Sequence, residues 1–145
     1  MSADFFPTPP VRTWRSLFRC LDDWLAYDSA MTELEEIRHL IREFRDARDW
    51  MQFHNPKNLA CSISIEANEL LEHFQWKTPE ESLVVTGEKK ARIAHEAADV
   101  AIYLIELADN LGIDLVQAIR DKLAQNAAKY PVSRAKGSAT KYTEL

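Results

Sequence analysis

Glycine is nearly missing from this 145-residue chain, which has Gly87, Gly112 and Gly137 and no other. Stretches that alternate Val, Ile or Thr with polar residues are also almost absent. Tight hairpin turns draw on glycine, so both shortages weigh against a sheet. The two cysteines, Cys20 and Cys61, make neither a metal-ligand spacing nor a disulfide framework. No run approaches the ~18 consecutive apolar residues of a membrane span. No apolar segment follows the N-terminal charges as it would in a signal peptide. A soluble, cytoplasmic protein without membrane contact is the expectation. Positive charge is short as well: 18 Lys and Arg stand against 23 Asp and Glu, a net charge of −5. Duplex nucleic acid, which is bound by a basic face, is therefore not an expected partner. A nucleotide ligand stays compatible, because a metal can supply the positive charge. No G-x-x-x-x-G-K-[ST] loop is present, and no convincing Ser/His/Asp or Cys/His nucleophile.

What the chain does have is helical punctuation. Thr32 and Glu35 have capping-box spacing and open a helix expected over about 32–50. Phe53-His54-Asn55-Pro56 reads as a turn, because Pro56 biases Asn55 away from the helical region. A second helix is expected over about 58–76. Thr78-Pro79-Glu80-Glu81 is another capping box, with proline at the first helical position. A third long helix is expected over about 88–111, with Gly112 as a left-handed C-cap. Asp114 caps a fourth, ending at Tyr130-Pro131. Upstream, Trp14, Leu17, Phe18, Leu21, Trp24 and Leu25 keep i, i+3, i+4, i+7 spacing, an amphipathic helix after a proline-rich start. The expected fold class is all-α: a four-helix-bundle-type core with an extra N-terminal helix. The expected division is an N-terminal extension (1–30), an all-α domain (31–131) and a basic C-terminal tail (132–145) without helical period. A chain of this length removes roughly 68–70% of its unfolded surface from water, so no metal or disulfide is needed merely to hold a core.

Two helices share an unusual arrangement of acids. In the second, Ala60, Ile63, Ala67, Leu70, Leu71 and Phe74 form an apolar stripe, and Glu66 and Glu69 lie three apart beside it. In the third, Ile93, Ala97, Val100, Leu104 and Leu107 form the stripe, and Glu96 and Asp99 flank it at the same spacing. Tyr103 follows one turn beyond Asp99. Ala98, Ile102 and Ile105 make this helix apolar nearly all round, as suits a central helix or one at a subunit interface. Four carboxylates at the margin of a core repel one another and are costly to bury unpaired. Hard oxygen donors of this kind suit Mg²⁺, with Mn²⁺ as a substitute, and such an ion takes phosphate oxygens as further ligands. On these two helices the di-iron Glu-x-x-His pattern is missing.

At these residues the chain resembles the MazG-like, all-α nucleoside triphosphate pyrophosphohydrolases, in particular their dCTP pyrophosphatase branch. The matching segments are Arg48-Asp49-Trp50-Met51-Gln52-Phe53-His54-Asn55-Pro56-Lys57-Asn58-Leu59, then Glu66-Ala67-Asn68-Glu69-Leu70-Leu71-Glu72-His73-Phe74-Gln75-Trp76. Glu96-Ala97-Ala98-Asp99-Val100-Ala101-Ile102-Tyr103-Leu104 and Asn126-Ala127-Ala128-Lys129-Tyr130-Pro131 complete the set. The likeness runs from about residue 31 to the end. It implies that Glu66, Glu69, Glu96 and Asp99 bind magnesium, and that Trp50, His54, Trp76 and Tyr103 take part in substrate binding. Many members write the first motif E-E-x-x-E. Here Ile65 takes the leading position, and by helical angle it points away from the Glu66/Glu69 edge. The dCTP branch commonly lacks that acid too.

The implied reaction is (d)NTP plus water to (d)NMP plus pyrophosphate, with Glu69 and Glu72 as candidates to orient or deprotonate the water. The flanking residues suit a nucleotide. Trp50, Phe53 and Trp76 offer faces on which a base can stack. His54 can donate to a base or phosphate. Lys57 and Asn58 open the second helix, where the positive dipole end favours an anion. Lys129, Arg134, Lys136 and Lys141 can close over phosphates from a tail expected to be mobile without ligand. A homodimer or homotetramer is expected from the apolar third helix. Two other readings remain open at this level: a non-catalytic helical oligomerisation or interaction protein, and a related pyrophosphohydrolase for dUTP, an oxidised base or phosphoribosyl-ATP.

Overall fold

The computed structural model describes residues 31–144. The expected N-terminal helix over Trp14–Leu25 lies outside the described residues. Every regular element described is helical, as expected: α1 (Glu33–Asp46), α2 (Pro56–Glu72), α3 (Pro79–Leu83), α4 (Gly87–Asn110), α5 (Leu115–Lys129) and α6 (Val132–Ala135), with one 3₁₀ turn at Trp50–Gln52.

The helix ends follow from local chemistry. α1 stops at Asp46, short of the expected Trp50, because Asp49 takes a left-handed backbone conformation (φ 54°) that a right-handed helix cannot accommodate. Gln52 Nε2 donates to both the carbonyl and the carboxylate of Asp49, at 2.9 Å each, and holds the turn. Trp50 is thereby lifted off the helix into the connection. α2 begins at Pro56, two residues earlier than expected, since Asn55 caps it by accepting from the Asn58 amide at 3.0 Å. It ends at Glu72, and Phe74, Gln75 and Lys77 turn back through bonds to Leu71 and Phe74 carbonyls. Trp76 therefore sits in a turn, not on the helix. The Thr78–Glu81 capping box forms in both directions, at 3.0 and 3.2 Å. α4 closes in a Schellman motif: Ile113 donates to Ala108 at 2.8 Å and Gly112 to Asp109 at 3.0 Å. Gly112 occupies the left-handed position (φ 65°) that this motif requires. Asp114 then caps α5 through the Gln117 amide.

The tail differs from the irregular segment expected of it. Pro131 takes φ −60° at the N-cap, and its carbonyl accepts from Arg134 and Ala135, which starts α6. Beyond it, Tyr142 meets Tyr130 edge-on at 5.8 Å, with the Lys129 ammonium 5.0 Å over the Tyr142 ring.

α2 lies along α4, and this is the extensive helix–helix packing among the described residues. Leu59, 1% exposed, anchors the first turn of α2, while Ile41 of α1 and Ala108 of α4 are the other buried apolar residues described. α1 is tied to the end of α4 mainly by charge. Arg42 donates to both carboxylate oxygens of Asp109, at 2.6 and 2.5 Å, and Arg45 and Glu106 are both buried beneath. The core expected from length alone is not completed within these residues. Ile119 and Leu123 of α5, Ile102 and Leu104 of α4, Leu83 at the end of α3 and Val84 after it remain exposed. The expected stripes are covered only in part: Ile63, Leu70 and Phe74 of α2 and Ile93, Val100 and Leu107 of α4 are half-buried, whereas Ala60, Ala67, Leu71, Ala97 and Leu104 are exposed.

Candidate active site

The α2–α4 pairing brings acids together from both helices. Glu66, Glu96 and Asp99 each place a carboxylate oxygen within 4.8 Å of the others, and all three are half-buried. On α4 the pair arises from i, i+3 spacing, and α2 supplies Glu66 from the facing edge. Burial pushes the Glu66 carboxyl above the ordinary carboxylate range, and the charges of Glu69, Asp99 and Glu96 push it the same way. Such a cluster of hard oxygen donors fits a divalent cation such as Mg²⁺. Glu69 belongs to the electrostatic neighbourhood but not to the three-oxygen group; its side chain is exposed one turn along α2. Glu72, exposed at the end of α2, stands six residues or about 9 Å of helix rise beyond Glu66. Ile65 is exposed, off the acid edge.

Tyr103 connects this cluster to a second group. Its phenol is held above its usual value, first by burial and then by the charges of Glu66, Asp99 and Glu106. Its ring centroid lies 6.3 Å from that of His54, and the His54 ring lies 5.9 Å from that of Trp50. Trp50 in turn meets Phe44 edge-on at 5.9 Å, and the Arg48 guanidinium covers Phe44 at 3.6 Å. Trp50, His54 and Tyr103 thus form one aromatic wall beside the acids. Trp76 does not join it within this chain: it is 87% exposed in the turn after α2.

The start of α2 serves structure more than was expected. The Asn58 amide is already taken by the Asn55 cap, and its side chain donates to the Phe53 carbonyl at 2.9 Å. Asn58 therefore fixes the turn that carries His54. Lys57 is exposed beside it.

Sequence reading missed the residues behind His54. Glu106 Oε1 lies 2.8 Å from His54 Nδ1 and 3.5 Å from the Arg45 guanidinium. Asn110 accepts from Arg45 at 3.1 Å and donates to the His54 carbonyl at 3.0 Å. A signal was available: Asp99, Tyr103, Glu106 and Asn110 recur at helical spacing, and Arg38, Arg42 and Arg45 mark one face of α1.

A family model described as MazG-like matches residues 61–145. The chain is 43% identical over 119 residues to dCTP pyrophosphatase 1 of Bos taurus, covering 81% of this chain and 70% of that protein. It is 46% identical over 114 residues to dCTP pyrophosphatase 1 of Mus musculus, covering 77% and 67%. Among solved structures, a pyrophosphatase from Archaeoglobus fulgidus superposes with a TM-score of 0.67 at 44% identity, over 72% of this chain and 97% of that one.

Proposed function

This chain belongs to the MazG-like family and is a nucleoside triphosphate diphosphatase, and on that footing we propose that it is magnesium-dependent, prefers dCTP, and releases dCMP and pyrophosphate. The observation that carries the metal dependence is the convergence of Glu66, Glu96 and Asp99 within 4.8 Å. The preference for dCTP draws on the two relatives of that name.

Glu66, Glu96 and Asp99 would hold the ion, with Glu69 able to swing in as a fourth carboxylate. When bound, magnesium supplies neutralisation of phosphate oxygens and a lowered pKa for its water. Oxygen of water attacks the α-phosphorus, and the bond to the α–β bridging oxygen breaks, so the pyrophosphate leaves with that oxygen. Of the two candidates for taking the water's proton, Glu69, when it is not on the ion, is the nearer to the cluster, three residues from Glu66 on α2. Glu72 is a full turn more remote. Trp50, His54 and Tyr103 would receive the nucleoside, with Trp50 as the stacking surface. Lys57 lies beside the His54 turn, nine residues or about 13.5 Å of helix rise from Glu66, and so belongs to the nucleoside end of the site. Trp76 would act only if it turns inward or if a second copy brings it to the site.

We further infer a homo-oligomer. Ile119 and Leu123 on α5 together with Ile102 and Leu104 on α4 leave more apolar surface open than isolated surface residues would. No described helix is long and apolar enough to cross a membrane, so a lipid span does not account for that surface.

The test is purified protein with a panel of NTPs and dNTPs, in Mg²⁺ or in EDTA, with products resolved by ion exchange. Glu66→Gln and Asp99→Asn run beside it. Mg²⁺-dependent monophosphate and pyrophosphate, lost in both variants, is expected, with dCTP turned over best. Diphosphate and orthophosphate would refute attack at the α-phosphorus. A different best substrate, such as dUTP, an oxidised base or phosphoribosyl-ATP, would overturn the preference alone.

A further inference from the structure

α4 carries one stripe of polar side chains past the metal-type cluster: Glu96, Asp99, Tyr103 and then Glu106. Asp99 and Glu106 are seven residues apart, about 10.5 Å of helix rise. The acids at one end suit phosphates, which leaves the Glu106 end for the base. Glu106 is 2% exposed, and its carboxylate lies against His54 Nδ1 at 2.8 Å.

We propose that Glu106 is a positioning residue that locks the His54 imidazole in its Nδ1–H tautomer, so that Nε2 presents a lone pair to the base and selects an exocyclic amino group over a carbonyl. The proposal rests on the functional reading above and names the feature of the base that this site reads.

The argument is one of donors and acceptors. An ionised carboxylate can only accept, so a neutral imidazole facing it carries its proton on Nδ1. Its lone pair then lies on Nε2. The Arg45 guanidinium lies 3.5 Å from the same carboxylate oxygen. The backbone that carries the ring is fixed on both sides, since the His54 carbonyl accepts from Asn110 at 3.0 Å and the Phe53 carbonyl from Asn58 at 2.9 Å. Trp50 and Tyr103 flank it. Cytosine offers an N4 amino donor where thymine and uracil offer an O4 acceptor. A fixed acceptor rewards the first and leaves the second with lone pair facing lone pair.

The experiment has two arms on the full chain. Long-range ¹H–¹⁵N correlation on histidine-labelled protein reads the His54 tautomer directly, with His54→Gln to assign the signal among the four histidines. Nδ1–H with a free Nε2 is expected in the parent. Protonation at Nε2, alone or together with Nδ1, would overturn the proposal. The second arm measures kcat/KM for dCTP and dUTP in the parent and in Glu106→Gln. A glutamine can donate or accept, so it no longer imposes a tautomer. The dCTP/dUTP ratio is expected to fall about tenfold or more. A merely structural Glu106 would lower both values together, and an unmoved ratio sinks the idea. If Glu106→Gln does not fold, the tautomer in the parent decides alone. If the parent hydrolyses no nucleotide, the functional reading fails, whereas hydrolysis with an unmoved ratio fails this proposal only.

Discussion

Arg42 and Asp109, sixty-seven residues apart, form a two-point contact that fastens the last turns of α1 to the end of α4. The guanidinium fork matches both carboxylate oxygens, and Arg38 approaches the same carboxylate at 3.8 Å. This contact fixes where α1 ends relative to α4. It therefore also fixes where the following turn delivers Trp50 and His54. Asp109→Ala should cost about 1–3 kcal/mol, as loss of a charge-assisted hydrogen bond does. Denaturant unfolding reads the loss. An unchanged midpoint would mean that α1 is held by other contacts.

The carboxylate cluster predicts a pH signature. Without metal, Glu66 in the folded protein keeps its proton to higher pH than in the unfolded chain. The folded state then binds more protons in the window just above the ordinary carboxylate value, and stability falls as pH rises through it. In EDTA, Tm should therefore decline from about pH 4 towards neutrality more in the parent than in Glu66→Gln. Mg²⁺ should restore the parent's Tm and leave Glu66→Gln nearly unchanged. Parallel Tm profiles for the two proteins in EDTA would contradict the assignment.

Trp50 is expected to act on binding more than on chemistry. Replacing a stacking aromatic by alanine removes about 1–3 kcal/mol, which is a rise in KM of about 5- to 160-fold with kcat less affected. Steady-state kinetics on Trp50→Ala checks this. An equal fall in kcat with KM unchanged would move Trp50 out of the binding wall.

Leu123 on α5 is 62% exposed in the single chain. In a homo-oligomer that covers α5, Leu123→Glu would bury a charge at the interface. Sedimentation velocity should show a lighter species than the parent. A parent that already sediments as a monomer would remove the oligomer from the account.

Helix existence and several helix ends are legible in the sequence, because they follow from near-neighbour chemistry. The Thr78–Glu81 box, the Asp114 cap and Gly112 in its left-handed position all form as their residues dictate. The acid pairs are equally readable, because i, i+3 spacing places Glu96 and Asp99 on one edge whatever surrounds them. Other features depend on backbone conformations that composition does not reveal. Asp49 adopts φ 54° and ends α1 early, and Pro131 starts a helix in a tail that shows no period.

By itself, then, the sequence determined an all-α chain, its capped helices and the carboxylate pairs beside its apolar stripes, since these are set by interactions within about one helical turn. Tertiary structure alone decided which acids meet. Packing of α2 on α4 admits Glu66 to Glu96 and Asp99, while Glu69 stays on the exposed edge. It also decided that His54 is backed by Glu106, Arg45 and Asn110 from two other helices. Those partners lie about fifty residues away on α4 and within ten on α1. No local spacing encodes that meeting; only the docking of whole helix faces brings it about.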